Sequence, residues 1–192
     1  YAAQSGDTIV VYPGTYSSSA ADMAIDITDK DLKLYGLGGK SAVLVDGQGT
    51  QGFLRCVGEV TRSTVVQGFT FTGGNESVFL VHLFGESASP VIRDCNFVST
   101  SSEQTIRSGP SNCCQGGSGL FERCRFQDIY AANKCVYADY SPIEFVGCEF
   151  VDVTTADESF FTYHPAASMR FESCVFKNIT SESNGTNNGV FV

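Results

Sequence analysis

The chain has 192 residues, of which 42% are hydrophobic, and it carries a formal net charge of −9. Such a chain is long and apolar enough to bury the core of a single domain, which excludes intrinsic disorder. The acidic balance disfavours nucleic acid as a partner, because a phosphate-binding face needs clustered Lys and Arg, and no apolar run is long enough to insert into a membrane.

The first glycine-rich stretch along the chain, residues 36–39, is not a phosphate-binding loop. It lacks the Lys-Ser or Lys-Thr ending of such loops, and no helical pattern follows it. Helical patterns are in fact absent from the whole sequence, because no segment sustains the apolar spacing of an amphipathic helix beyond two turns. The sequence therefore predicts an all-β chain.

One short pattern recurs from Val66 to Phe176: a large apolar residue, then Cys three positions later, and Phe two positions after the Cys. The four Cys–Phe pairs are Cys95 and Phe97, Cys124 and Phe126, Cys148 and Phe150, and Cys174 and Phe176. An earlier copy has Phe69 at the Cys position and Phe71 at the Phe position, and the successive Phe residues are 26, 29, 24 and 26 apart. Such a period predicts stacked coils in which equivalent residues form ladders.

The pattern within each coil is typical of strands separated by corners. Cys and the following Phe are two residues apart, hence on one face of an extended chain, whereas the apolar residue three before Cys has the opposite parity. A bend between them restores the parity. Small or polar residues suited to a second turn follow two positions after each Phe, and they are Gly73, Ser99, Asp128, Asp152 and Asn178.

Together with three amino-terminal segments, these coils resemble the right-handed parallel β-helix proteins of the pectin-lyase-like class. Residues 5–16 are similar to the first coil of such proteins, and residues 32–39 and 42–47 to the segments that follow it. The coils also resemble the repeats of polymorphic outer-membrane adhesins, although the Gly-Gly-Ala-Ile motif of those adhesins is absent. The resemblance implies a fold and not one function, since this fold serves enzymes, tailspikes and adhesins.

We therefore expect a right-handed parallel β-helix with coils of about 24–29 residues, in which residues 1–192 form one domain of about six to seven coils. The chain is expected to be a fragment of a longer protein.

No catalytic set is predicted, and neither a metal nor a cofactor is expected. The acids near the repeated strand alternate with Arg, which is typical of solvated ladders with cross-strand charge pairs. Asp128 and Asp152 are expected to stack in adjacent coils, where a calcium-dependent lyase would place metal ligands, but capping of turns is the preferred interpretation. His82 and His164 are assigned structural roles in a second set of strands.

Weak candidates for carbohydrate binding are four tyrosines that could stack on sugar rings, namely Tyr130, Tyr137, Tyr140 and Tyr163. Tyr is also an ordinary strand residue, so the pattern alone does not separate the two roles.

The eight cysteines and three sequons are compatible with secretion. The ladder cysteines are expected to be packed free thiols, with strained disulfides as the alternative, and Cys113 or Cys114 with Cys135 is a possible disulfide across the longest irregular segment. The sequons begin at Asn75, Asn178 and Asn184 and are possible glycosylation sites. An even number of cysteines suits an oxidising compartment, which predicts a secreted or cell-surface protein.

The leading functional hypothesis is a non-catalytic extracellular module, structural or adhesive, that presents its surface to glycans or to partner proteins. A carbohydrate-active enzyme (a polysaccharide lyase, hydrolase or epimerase) is the alternative. A subunit of a self-assembling filament is a further alternative, because open solenoid ends can pair between chains.

Overall fold

The computed structural model describes residues 2–17, 23–75, 77–85, 87–109 and 117–182. Within these ranges every regular element is a β-strand, and the strands form three parallel sheets that wind as a solenoid of about six turns. The predicted all-β parallel solenoid is thus confirmed.

Successive coils add one strand at a time to each sheet, the coil of β19 and β20 having no third-sheet strand within the described residues, and the strands are numbered along the chain. In the described residues the first sheet consists of β1 (Thr8–Val11), β4 (Lys33–Gly36), β7 (Val65–Gln67), β10 (Val91–Arg93), β13 (Gly119–Glu122), β16 (Ile143–Val146) and β19 (Met169–Glu172). The second sheet there consists of β2 (Gly14–Ser17), β5 (Val43–Asp46), β8 (Thr70–Thr72), β11 (Asn96–Ser102), β14 (Arg125–Ala131), β17 (Glu149–Thr155) and β20 (Val175–Ser181). The third sheet, within the same ranges, consists of β3 (Met23–Thr28), β6 (Gly52–Val57), β9 (Phe79–Phe84), β12 (Gln104–Ser108), β15 (Val136–Ala138) and β18 (Phe160–Thr162).

The repeated Phe residues form one in-register column in the second sheet. The column runs through Phe71, Phe97, Phe126, Phe150 and Phe176. Successive ring centroids are 5.1, 4.8, 4.7 and 5.2 Å apart, close to the spacing of neighbouring strands. A second column of stacked rings, Phe121, Phe145 and Phe171, lies on the inner side of the first sheet. The two columns pack with buried aliphatic and Cys side chains to form one core between the sheets.

Left-handed backbone conformations turn the chain between the first and second sheets. The residue before each ladder Cys has a positive φ, and these residues are Asp94 (50°), Arg123 (51°), Gly147 (62°) and Ser173 (54°). This is the bend that the parity of the sequence pattern requires. The second predicted turn also has positive φ, at Gly73 (70°), Ser99 (48°), Asp128 (52°), Asp152 (54°) and Asn178 (53°).

The first coil is less well covered than the coils that follow it. Its Ile9 and Tyr16 are 37% and 43% exposed, whereas their in-register successors Leu34 and Val45 are buried. Each coil therefore depends on its neighbours for burial of its inner residues.

Candidate functional site

The outer side of the third sheet carries a row of charged and aromatic residues in successive coils. In register, the row runs through Asp26, Arg55, His82, Arg107, Tyr137 and Phe161. These side chains point outward because each follows an inward apolar residue, as Arg107 follows the buried Ile106. We define the third-sheet face as this row together with the neighbouring Phe79, Lys134, Asp139, Tyr140, Tyr163 and His164.

Arg107 lies at the centre of the third-sheet face between two aromatic rings. Its guanidinium carbon is 5.0 Å from the ring centroid of Phe79 and 5.3 Å from that of Tyr137. Its Nε donates to the carbonyl oxygen of Gly109 (3.3 Å) and its Nη1 to Oε1 of Gln104 (3.3 Å). Cation–π contacts and hydrogen bonds therefore fix the plane of this guanidinium.

His82 lies beside Arg107 in the row and is packed between Phe79 and Phe84. The ring centroids are 5.0 Å and 5.8 Å away, in edge-on geometry. Burial, together with the positive charges of Arg107 and Arg55, lowers the pKa of His82 to about 4. Its Nε2 is buried and has no hydrogen-bond partner among the described residues. His82 is therefore a neutral imidazole at physiological pH.

Two other cations of the face are neutralised by carboxylates. Arg55 forms an ion pair with Asp26. Lys134 forms ion pairs with Asp157 and with Glu158 (3.1 Å). Burial alone would lower the pKa of Lys134, but its hydrogen bonds with the two carboxylates raise it overall. Both cations therefore have carboxylate partners, whereas no ion pair joins Arg107 to a carboxylate within the described residues.

Asp139 is a buried carboxyl group at the edge of the face. The residue is 7% exposed, and burial raises its pKa despite the opposing positive charges of Arg107 and His164. Its Oδ1 has no hydrogen-bond partner within the part of the chain that the structure describes. His164 stacks on Tyr140, with 4.2 Å between ring centroids. Arg107 and His164 thus act electrostatically on this carboxyl, but neither forms an ion pair with it within the described residues.

Three of the four predicted sugar-binding tyrosines belong to this face. Tyr137 is in the row, where its ring stacks on Phe161 (5.8 Å, 12° between planes). Tyr140 contacts His164, and Tyr163, which is 65% exposed, follows β18. Tyr130 lies instead in β14 of the second sheet, in register with Ser101 and Thr154.

The acids considered for a lyase site lie outside the third-sheet face. Asp128 and Asp152 hold equivalent corner positions in adjacent coils, between the pairs Gln127–Val151 and Ile129–Val153. Asp128 and Asp152 are exposed corner residues, and Asp152 accepts a hydrogen bond from Nδ2 of Asn178 (2.6 Å). Asp94 is paired with Arg123 (2.8 Å), whose hydrogen bonds lower the pKa of that carboxyl. The described residues contain no group of three or more His, Cys, Asp or Glu that could hold a metal ion.

The ladder cysteines are free thiols that donate to carbonyl oxygens of the preceding coil. These contacts are Cys95 to Val66 (3.7 Å), Cys124 to Ile92 (3.4 Å), Cys148 to Phe121 (3.3 Å) and Cys174 to Phe145 (3.5 Å). The disulfide predicted for Cys135 has no support, because Cys135 is a free thiol in the core and burial raises its pKa to about 12. Its predicted partners, Cys113 and Cys114, lie outside the described residues.

Two of the predicted glycosylation sites have amide groups that are already hydrogen-bonded. Nδ2 of Asn75 donates to the carbonyl oxygen of Gly49, and Nδ2 of Asn178 donates to Asp152. A glycan at either residue would replace one of the two hydrogens on its Nδ2. Asn184 lies outside the described residues.

Sequence reasoning missed most of the third-sheet face. Arg55, Arg107, Lys134 and Asp139 are not singled out by the sequence, whereas the structural role expected for His82 agrees with its packing between Phe79 and Phe84. A signal for the row does exist: each member follows an inward apolar residue, as in Leu54-Arg55, Val81-His82, Ile106-Arg107 and Val136-Tyr137. It becomes visible only when the strands of the third sheet are aligned.

No family model matches this chain, and no curated protein matches it in sequence. In the described ranges no helix has the length and apolar character needed to cross a membrane. The third-sheet face is therefore the feature on which a function can be argued.

Proposed function

We propose that the chain is an extracellular, non-catalytic β-helix module that binds glycans through the third-sheet face. The observation that carries this proposal is the in-register row of Arg107, Tyr137 and Phe161, flanked by the exposed Tyr163. Aromatic rings pack against the apolar faces of sugars, and neighbouring polar groups can bond to hydroxyls. Sites on rigid strands hold such groups more accurately than loops do.

The rigid strands that carry these side chains favour a binding role for this face over a purely structural one. Tyr137 is paired with Arg107 and Phe161 through backbone register, and its ring also lies beside the guanidinium. The rings of Tyr137 and Phe161 stack on each other with 12° between their planes, and Lys134 Nζ lies 4.9 Å from the Phe161 centroid. The two rings therefore form an ordered strip that presents its ring edges outward beside the exposed Tyr163. A pre-ordered strip loses little conformational entropy on binding.

The proposal also includes the family, the location and the glycosylation of the chain. Membership of the pectin-lyase-like class, adhesin-type repeats and a secreted or cell-surface location are supported by the Cys-x-Phe coils and the even number of cysteines. Glycosylation at Asn75, Asn178 or Asn184 is supported by the sequons alone. Partner proteins, rather than glycans, remain an alternative outcome of the binding test.

The test is binding of the folded chain to a panel of soluble neutral and acidic polysaccharides by isothermal titration calorimetry. Tyr137→Ala is compared with Tyr130→Ala, a matched change in the second sheet. We expect Tyr137→Ala to weaken binding by about tenfold, which corresponds to about 1.4 kcal/mol, and Tyr130→Ala to leave it unchanged. Equal effects of the two changes, or no binding to any glycan, would contradict the proposal.

A carbohydrate-active enzyme is the second candidate, and Asp139 is the observation that favours it. A buried carboxyl with a raised pKa can act as a general acid, and the charges of Arg107 and His164 act on it. Release of reducing ends or of unsaturated products from the same polysaccharides tests this candidate. Cleavage by the wild type that is lost in Asp139→Asn would show that the chain is an enzyme and would contradict the non-catalytic module.

Self-association through the coil ends remains a prediction. It is motivated by the general ability of open solenoid ends to pair with another chain. Sedimentation velocity over a range of protein concentrations tests it. A constant sedimentation coefficient would contradict a filament subunit.

A further inference from the structure

The charges of the third-sheet face are unevenly paired. Arg55 is bound to Asp26, and Lys134 to Asp157 and Glu158. No carboxylate of the described residues lies within 4.0 Å of the Arg107 guanidinium. We propose that Arg107 forms an oxyanion subsite, which binds a carboxylate or sulfate group of the ligand. This inference rests on the proposed function and adds the class of ligand.

The orientation of Arg107 suits this role. Nε and Nη1 are occupied by Gly109 and Gln104, and the guanidinium lies against Phe79 and Tyr137. Nη2 makes no hydrogen bond to a described residue and is left for the ligand. A planar guanidinium held in this way binds oxyanions by charge-assisted hydrogen bonds, and little further ordering is needed.

The groups around Arg107 leave its charge available. His82 is neutral at physiological pH, so it neither repels Arg107 nor attracts the anion. Asp139 forms no ion pair with the Arg107 guanidinium within the described residues, and its Oδ1 is buried, so this carboxyl does not occupy the anion position at Arg107.

Because the chain is acidic overall, binding at this subsite should differ in its salt dependence from binding at a basic surface patch. A net charge of −9 repels a polyanion at long range. Salt screens that repulsion, while a short contact at a partly buried guanidinium is screened less. Binding of an anionic glycan is therefore expected to persist as salt rises from low to moderate concentration. A basic patch would lose affinity under the same change.

The test uses three immobilised probes that share one backbone: dextran, carboxymethyl-dextran and dextran sulfate. Binding of the full chain is measured by biolayer interferometry for the wild type, Arg107→Gln, Arg107→Lys and Arg125→Gln. The last variant removes one positive charge from the outer side of the second sheet and is the matched control. Thermal unfolding of each variant confirms that it is folded.

We expect at least one charged dextran to bind more tightly than dextran, and the two charged probes distinguish a carboxylate from a sulfate. Arg107→Gln is expected to weaken that binding at least tenfold, Arg107→Lys to weaken it less, and Arg125→Gln to leave it unchanged. In a second measurement, free acetate and sulfate are titrated while the side-chain Nε–H signal of Arg107 is followed by NMR. A saturable shift supports the subsite.

Equal binding by wild type and Arg107→Gln, or the absence of any Arg107 shift, would overturn the oxyanion subsite. The proposed glycan module would survive that result if Tyr137→Ala still weakened binding to a neutral polysaccharide. Loss of the Tyr137 effect as well would overturn both proposals, so the two failures are distinguishable.

Discussion

The ring of Phe126 lies almost parallel to the ring of Phe97, with 4° between their planes and 4.8 Å between their centroids. On its other side Phe126 stacks on Phe150 at 4.7 Å and 7°. Ring and backbone spacing therefore agree along the column, and Phe71, Phe97, Phe126 and Phe150 are fully buried. The interior is a continuous stack, so its stability depends on contacts between coils.

Replacing Phe126 by Ala is expected to lower the free energy of unfolding by about 3–5 kcal/mol, because it leaves a cavity between two stacked rings. Phe161→Ala, on the outer third-sheet face, is the control and should cost less. Urea unfolding followed by circular dichroism gives both values. A loss for Phe126→Ala no larger than that for Phe161→Ala would mean that the stack is not the stabilising core.

The stacked column could be predicted from sequence because the interior selects the same residue types in every coil. Cys95, Cys124 and Cys148 are followed at constant spacing by Phe, and the corner residue before each Cys has a left-handed conformation that restores the parity. Local constraints of this kind repeat with each coil, so they leave a visible period in the sequence.

The left-handed corners lead to a prediction about Asp128, whose φ is 52°. A β-branched residue is strained in that region, whereas Gly is not. Asp128→Val should therefore lower the free energy of unfolding by about 1–2 kcal/mol, and Asp128→Gly should change it much less. Chemical denaturation of the pair measures the difference. Equal stabilities would show that Asp128 is not held in the left-handed region.

The third-sheet face could not be predicted in the same way. The stretch between the Phe column and the third sheet varies in length, since β9 begins at Phe79 after Phe71 and β15 begins at Val136 after Phe126. Outward positions also carry different residue types in each coil, because solvent does not select one of them. Arg107 therefore has no recurring counterpart in the sequence, and only the register of the strands places it beside Tyr137.

The pH dependence of stability is expected to contain a contribution from His82. Its pKa in the folded chain, about 4, lies below the usual histidine value of 6.5. The unfolded state therefore binds the proton first, and stability is lost as pH falls from about 6.5 towards 4. The loss is on the order of 3 kcal/mol at most.

His82→Gln removes this contribution, so its stability should fall less steeply than that of the wild type over the same range. Asp139, with a raised pKa, acts in the opposite direction: its contribution is present at low pH and is lost as pH rises. Because Asp139 is present in both proteins, the difference between them isolates His82. Parallel stability profiles between pH 7 and 4 would contradict a buried neutral His82.

The thiol of Cys135 is expected to resist alkylation in the folded chain. It is buried, and its pKa of about 12 leaves little thiolate at pH 8. Iodoacetamide should label Cys135 in urea without reductant and should not label it in buffer, as read by peptide mass spectrometry. Labelling in urea only after reduction would contradict the free thiol and restore the disulfide with Cys113 or Cys114.

The most direct test of the central claim is a map of backbone amide shifts on the isotopically labelled chain, titrated with the glycan that binds most tightly. We predict that the largest shifts fall in β9, β12, β15 and β18, around His82, Arg107 and Tyr137. Shifts concentrated on the outer side of the first or second sheet, around Arg93 or Arg125, would contradict the assignment of the third-sheet face as the binding site.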